Sequence, residues 1–184
     1  METRRLGEKC LSKETVYRGR LIDVEHWRVS LPDGRTASRD VVIHSGAAAV
    51  VALDEHDRIT LVSQYRCPIG RVTLELPAGK LEADESPLDC ARRELEEETG
   101  LRAQSFDKLT DLLTTPAFCS ETITIYLATG LSAHSGCPDE DEFLNVVQMP
   151  LSEAAAQVIN GEIKDAKTVA GILLSLARQK QDPA

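Results

Sequence analysis

GKLEADESPLDCARRELEEETGL, running from Gly79 to Leu101, joins a glycine turn, a capped helix and a dense set of carboxylates in one segment. Ser86 suits an N-cap, Pro87 the first helical position and Asp89 a capping-box place, and Gly100 is a natural stop. The spacing therefore predicts a helix over Pro87–Thr99. With Leu88 as origin and a turn of about 100° per residue, Ala91 falls at about 300° and Leu95 at about 340°, which defines a buried stripe. On the same wheel Glu98 falls at about 280°, Glu94 at about 240° and Glu97 at about 180°, while Glu96 lies across at about 80°. A charge run on a helix is ordinarily a solvated face, with Arg92 and Arg93 pairing with neighbours. Here the glutamates crowd the negative end of the helix dipole, at a cost of about 0.3 to 1 kcal/mol each, and Glu94 repels Glu98 at i, i+4. Divalent cations would offset that charge, and carboxylates suit hard Mg²⁺.

Outward from this segment, 184 residues with 42% hydrophobic content are enough for one core, with room for a small appended subdomain. The net charge of -9 argues against a nonspecific nucleic-acid or anionic-membrane surface, since phosphate backbones are held by Lys and Arg. No apolar run reaches the length of a membrane span and no signal-peptide pattern follows the charged N-terminus, so a cytoplasmic location is expected. Five widely spaced cysteines without a CxxC pair suggest reduced thiols, neither a disulfide framework nor a thiolate zinc site. The four histidines show no ligand spacing, and no P-loop pattern is present.

Before the segment, TVYRGRLIDVEHWRVSL and TASRDVVIH, joined by Pro32-Asp33-Gly34, read as a small antiparallel sheet, a β subdomain over residues 1–45. Such a meander rarely stands without packing on something else, and a second subunit is one candidate. Trp27 is either a half-buried strand aromatic or a platform for a nucleobase. AAAVVAL and RITLVSQYR read as a hairpin whose first strand is apolar enough for a sheet interior. Arg66, at the end of the second, is either a solvated strand terminus or a phosphate contact facing the acidic segment. VTLELPAG is a strand broken by Pro77 and by Gly79, which can take the positive φ of a tight loop. Beyond the segment, β-like runs flank LTTPAFCSE, and FLNVVQM follows an acidic loop whose plain reading is solvated charge. Two helical patterns, Ser152 to Ile159 and Asp165 to Arg178, close the chain; Val169, Ile172, Leu173 and Leu176 form the apolar stripe of the second.

Gly79, five residues, Glu85, seven residues and then Arg93-Glu94-Leu95-Glu96-Glu97-Glu98-Thr99-Gly100-Leu101 resembles a complete Nudix box. The resemblance implies an α+β fold, a Nudix α/β/α sandwich around a mixed sheet, over residues 46–184 beside the small N-terminal antiparallel β subdomain. Pro116, sixteen residues after Gly100, is similar to the ADP-ribose pyrophosphatase group of that family, although Ala117 departs from the glycine of its pattern and leaves the substrate open.

Carried over position by position, the resemblance assigns metal ligation to Ala78, Glu94, Glu97 and Glu98, with Glu142 as an extra ligand, and an ion-pairing role to Arg93. Glu140 is the implied base, in either order with Glu142, so the catalytic set is Glu140, Glu98 and Arg93. Gly79 and Glu85 belong to loop architecture, and Trp27, Arg39, Arg66 and Glu121 to substrate binding. The implied activity is Mg²⁺-dependent hydrolysis, with Mn²⁺ as a substitute, of the diphosphate of ADP-ribose or a related nucleoside diphosphate sugar, giving AMP and ribose 5-phosphate. GDP-mannose hydrolysis and a non-catalytic ADP-ribose-binding module are the alternatives. In the resembled group the N-terminal sheet is exchanged between two subunits, which implies a homodimer.

Overall fold

The computed structural model describes residues 6–134 and 143–181. Two compact units emerge, one taking the residues through Gly46 together with Leu113–Glu121, the other taking Ala47–Leu112 and the residues from Thr122 onward.

In the first unit β1 (Lys9–Arg18), β2 (Asp23–Ser30) and β3 (Thr36–Ile43) form an antiparallel sheet in that order. The run TVYRGRLIDVEHWRVSL divides between β1 and β2 at a turn in which the Gly19 N–H donates to the Ile22 carbonyl at 2.9 Å. Leu113–Glu121 adds to β3: the Val42 N–H donates to Phe118 O at 2.7 Å and the Ser120 N–H donates to Val42 O at 2.9 Å, a parallel bridge between Val42 and Cys119. A segment distant in sequence thus completes this unit.

The second unit is built on a seven-stranded sheet. Its strands are β4 (Ala47–Leu53), β5 (Arg58–Arg66), β6 (Arg71–Glu75), β7 (Ala78–Lys80), β8 (Leu101–Leu113), β9 (Thr122–Ala133) and β10 (Leu144–Pro150). The main order is β10-β5-β4-β9-β8, with β6 on β5 and β7 on β4. β4 pairs parallel with β9 and antiparallel with β5 and β7, so the sheet is mixed. The helices are α1 (Pro87–Thr99), α2 (Leu151–Ile159) and α3 (Ala166–Gln181).

All seven residues of β4 are buried because both faces of the strand are covered. Ala47, Ala49, Val51 and Leu53 join the cluster containing Leu151, Ala154 and Ile172 of α2 and α3. Ala48, Val50 and Ala52, on the opposite face, join Cys90, Ala91 and Leu95 of α1 with Tyr126 and Ala128. The result is the α/β/α sandwich expected from the sequence.

α1 spans the expected residues. Ser86 accepts the Asp89 N–H at 3.1 Å, a cap contributing about 1 kcal/mol, and Gly100 ends the helix at φ 67°. Its buried face is Cys90, Ala91, Glu94, Leu95 and Glu98, rotated from the expected stripe toward the glutamates, with Leu88 only half-buried. The face of α3 also differs from the apolar stripe: Lys167, Thr168, Gly171, Ile172 and Ser175 are buried, while Leu173 is exposed. Gly171 lies directly against Leu76 and Val51, where a Cβ would come within 2.7 and 2.9 Å, and the polar side chains of the first turn are engaged by Glu75 and the Leu76 N–H.

Candidate active site

α1 and the short strand β7 define the centre. The Glu98 Oε2 accepts the Ala78 N–H at 2.9 Å, and β7 is fixed beneath by pairing of Ala48 with Gly79 and Ala49 with Ala78. Glu94 and Glu98 are 8% and 5% exposed, unusual values for glutamates, which are almost never fully buried unless partnered. Gly79 makes the burial of Glu94 possible: a Cβ there would fall 1.7 Å from Glu94 Oε1. Its φ is not positive, so the conformation open to a glycine in a tight loop is not used here. What position 79 requires is space.

Arg93 ties the carboxylates together. Its Nε and Nη2 donate to the two oxygens of Glu85 at 2.9 Å each, its Nη1 donates to Glu94 Oε1 at 2.6 Å and Glu97 Oε2 at 3.0 Å, and Nη2 also reaches Lys80 O at 3.2 Å. Glu85 in turn accepts the Glu82 N–H at 2.9 Å, so the loop before α1 is closed onto the helix. The Glu85 hydrogen bonds above all, then those of Glu94 and Glu97, raise the Arg93 guanidinium against the opposing effect of burial. Arg93 reciprocally lowers the Glu85 carboxyl. Glu96 points away, as the helical wheel requires: Arg102 donates to it at 2.7 and 2.8 Å, and His134 lies at 2.9 Å.

At the end of β5, Arg66 is neither a free strand terminus nor fully exposed. Its Nε and Nη2 donate to the two oxygens of Glu75 at 2.8 Å each, and its side chain is 41% exposed. The Glu75 hydrogen bonds raise the Arg66 guanidinium against burial, and the charges of Glu75, Glu98 and Asp165 add to the effect, so of the α1 carboxylates Glu98 acts on Arg66. Glu75 is 4% exposed and also receives Lys167 Nζ and the Thr73 hydroxyl, the latter at 2.5 Å. The sequence reading missed Glu75, Asp165, Lys167 and Thr168. A single glutamate before Leu76-Pro77 and a lysine in the first turn of a C-terminal helix carry no spacing signal.

A NUDIX domain model matches residues 43–171, which contain this whole arrangement. The chain belongs to the Nudix family. It is 41% identical over 169 residues to an ADP-ribose pyrophosphatase of Bacillus subtilis (strain 168), covering 91% of each chain. It is 40% identical over 167 residues, 90% of each chain, to a methanol dehydrogenase activator of Bacillus methanolicus. Among solved structures it is similar to an ADP compounds hydrolase, with a TM-score of 0.82, 26% identity and 95% of both chains covered.

As a Nudix pyrophosphohydrolase the protein is expected to use a divalent ion. Among the described residues no group of three or more His, Cys, Asp or Glu side chains is arranged to hold a metal. Arg93 stands between Glu94 and Glu97, engaging an oxygen of each. The donor chemistry nevertheless fits a hard cation. The carboxylates of Glu94, Glu97 and Glu98 share one sector of α1 beside Ala78, and the missing side chain at Gly79 leaves a cradle into which Glu94 extends. Glu140 and Glu142 lie outside the described residues.

The other substrate-binding expectations fall in the first unit. Lys13, Trp27 and Arg39 are cross-strand neighbours in one row of its sheet. Trp27 is half-buried, its Nε1 donates to Glu25 at 2.6 Å, and Lys13 Nζ sits 3.9 Å from the ring centroid. Arg39 donates to Glu8 and to Ser38 O. Glu121 lies 3.7 Å from Nδ1 of His44, whose side chain is 9% exposed and whose Nδ1 accepts the Gly46 N–H at 3.0 Å. No helix among the described residues is long and apolar enough to cross a membrane.

Proposed function

We propose that this Nudix enzyme hydrolyses the diphosphate linkage of ADP-ribose or a related nucleoside diphosphate sugar, giving AMP and ribose 5-phosphate. The observation that carries the reading is the pair of buried carboxylates, Glu94 and Glu98, set against β7 at a residue without a side chain, with Arg66 in the field of Glu98. The 41% identity to the Bacillus subtilis ADP-ribose pyrophosphatase, over an alignment covering 91% of the chain, supports the choice of substrate.

Ala78, Glu94, Glu97 and Glu98, with Glu142, would hold Mg²⁺, for which Mn²⁺ could substitute, and the bound ion would offset diphosphate charge and lower the pKa of a water. Glu140 accepts the proton of the attacking water, in either order of roles with Glu142. The water oxygen bonds to phosphorus and the P–O bond of the diphosphate breaks, its electrons leaving with the departing phosphate. Arg93 keeps the carboxylates at fixed separation through Glu85, and Arg66 supplies positive charge to a phosphate oxygen. Trp27, Arg39 and Glu121 are the residues this reading assigns to the nucleoside and sugar.

A homodimer formed through the N-terminal subdomain completes this reading. Every residue of β1 is exposed, including Leu11, Val16 and Tyr17 at 50%, 59% and 57%, and an uncovered apolar edge strand is a natural surface for a second chain. Light scattering at micromolar concentration should give twice the chain mass; a fully active monomer would contradict it.

The activity is tested with ADP-ribose, GDP-mannose, NADH and dinucleoside polyphosphates in Mg²⁺, identifying products by chromatography. Fastest release of AMP from ADP-ribose supports the proposal. Preference for GDP-mannose would move the substrate within the same chemistry, and binding of ADP-ribose without turnover would make the protein a binding module.

A further inference from the structure

Glu75 is the centre of a charge network that reaches from the first turn of α3 to Arg66. Asp165 Oδ2 accepts the Thr168 N–H at 3.0 Å, the Thr168 hydroxyl at 2.6 Å and Lys167 Nζ at 3.0 Å. Lys167, 11% exposed at its side chain, also donates to Glu75 Oε2, and the Thr168 Oγ1 accepts the Leu76 N–H at 2.8 Å. One helical turn therefore grips both the side chain of Glu75 and the backbone that follows it into β7. Arg66 and Lys167 balance Glu75 and Asp165 in formal charge.

A network of this sort is not explained by stability alone, because buried ion pairs lose much of their attraction to desolvation. Its effect falls on Arg66. Lys167, itself held by Asp165, fixes the Glu75 carboxylate, and Glu75 in turn anchors the Arg66 guanidinium through Nε and Nη2 in one orientation.

We propose that Lys167 is a positioning residue for the substrate: through Glu75 it holds Arg66 in the orientation that a phosphate oxygen meets. The inference rests on the reading of Arg66 as a phosphate contact, and it gives a helix outside the carboxylate segment a part in substrate affinity.

The test compares kcat, KM and thermal midpoint for wild type, Arg66→Met, Lys167→Met, Lys167→Arg and the double variant R66M/K167M on the best substrate of the wild-type enzyme. Arg66→Met and Lys167→Met are each expected to raise KM by about tenfold with kcat within about threefold, as for loss of one charge-assisted contact. Lys167→Arg should restore KM, and the double variant should be no worse than Arg66→Met, since the lysine acts only through the arginine. Lys167→Gln keeps a donor for Glu75 without the charge and takes the place of the methionine if that variant does not fold. A raised KM in Arg66→Met alone overturns the role of Lys167 while leaving that of Arg66. An unchanged KM in Arg66→Met overturns both. Additive effects in the double variant, a lowered thermal midpoint with KM unchanged, or failure of both Lys167 variants to fold would each assign Lys167 to the core and overturn the proposal.

Discussion

Gly79 has no side chain where the Glu94 carboxylate lies: a Cβ would fall 1.7 Å from Oε1 and 2.0 Å from Cδ. The obstructing atoms are the far end of a flexible side chain, so Gly79→Ala should fold with nearly the wild-type thermal midpoint while pushing the carboxylate aside. Turnover should fall by about 10²-fold, the usual consequence of displacing an active-site group by an ångström. Melting curves and initial rates on the same preparation check the separation; an active alanine variant would show that the position of Glu94 is unimportant.

Arg93 uses all three guanidinium nitrogens on Glu85, Glu94, Glu97 and Lys80 O. A lysine keeps the charge but has no planar fork. Arg93→Lys is therefore expected to lower activity at limiting Mg²⁺ by about 10- to 100-fold, the range for losing a group that orients metal ligands, with partial recovery at high Mg²⁺. A Mg²⁺ titration of initial rates checks this.

Burial would raise the Glu75 carboxyl, but the Arg66 hydrogen bonds, followed by the charge and hydrogen bond of Lys167, hold it at about 2, below the ordinary 4.5. The folded pKa is the lower one, so its contribution is complete above about pH 4.5 and disappears as pH falls toward about 2, a change of about 3 kcal/mol. Urea midpoints measured across that window should fall steeply for wild type. They should fall less steeply for Glu75→Gln, which starts from a lower stability at neutral pH.

Burial first, then the charges of Glu85 and Glu94, push the Cys90 thiol up to about 12 from 9.0. At pH 8 its alkylation should be about 10³-fold slower than that of an ordinary thiol. Peptide mapping after iodoacetamide should find Cys10 and Cys67, both exposed, labelled in the native protein, and Cys90 labelled only in denaturant.

The features readable from sequence were those with local chemistry: Ser86 and Gly100 bounding α1, Pro77 interrupting a strand, and the outward Glu96. That Arg66 is more than a solvated strand end was half-readable; its partner Glu75 was not, because their pairing depends on β5 meeting β6. Lys167, Thr168 and Ser175 lie outside the apolar stripe read for α3, yet they are buried with Gly171 and Ile172. Buried polar residues defeat a periodicity argument, since hydrophobicity is its only signal. Leu113–Glu121 was a loop in the linear reading and becomes part of the N-terminal sheet unit through hydrogen bonds to Val42.

The most direct measurement is Mg²⁺-dependent release of AMP from ADP-ribose by wild type and Glu98→Gln. The glutamine can still accept the Ala78 N–H that Glu98 accepts at 2.9 Å, so the fold is retained while the negative charge is lost. The account predicts AMP and ribose 5-phosphate in equal amounts from wild type, no release after chelation, and a rate at least about 10²-fold lower in the variant. Equal rates for the two proteins, or release unaffected by chelation, would contradict it.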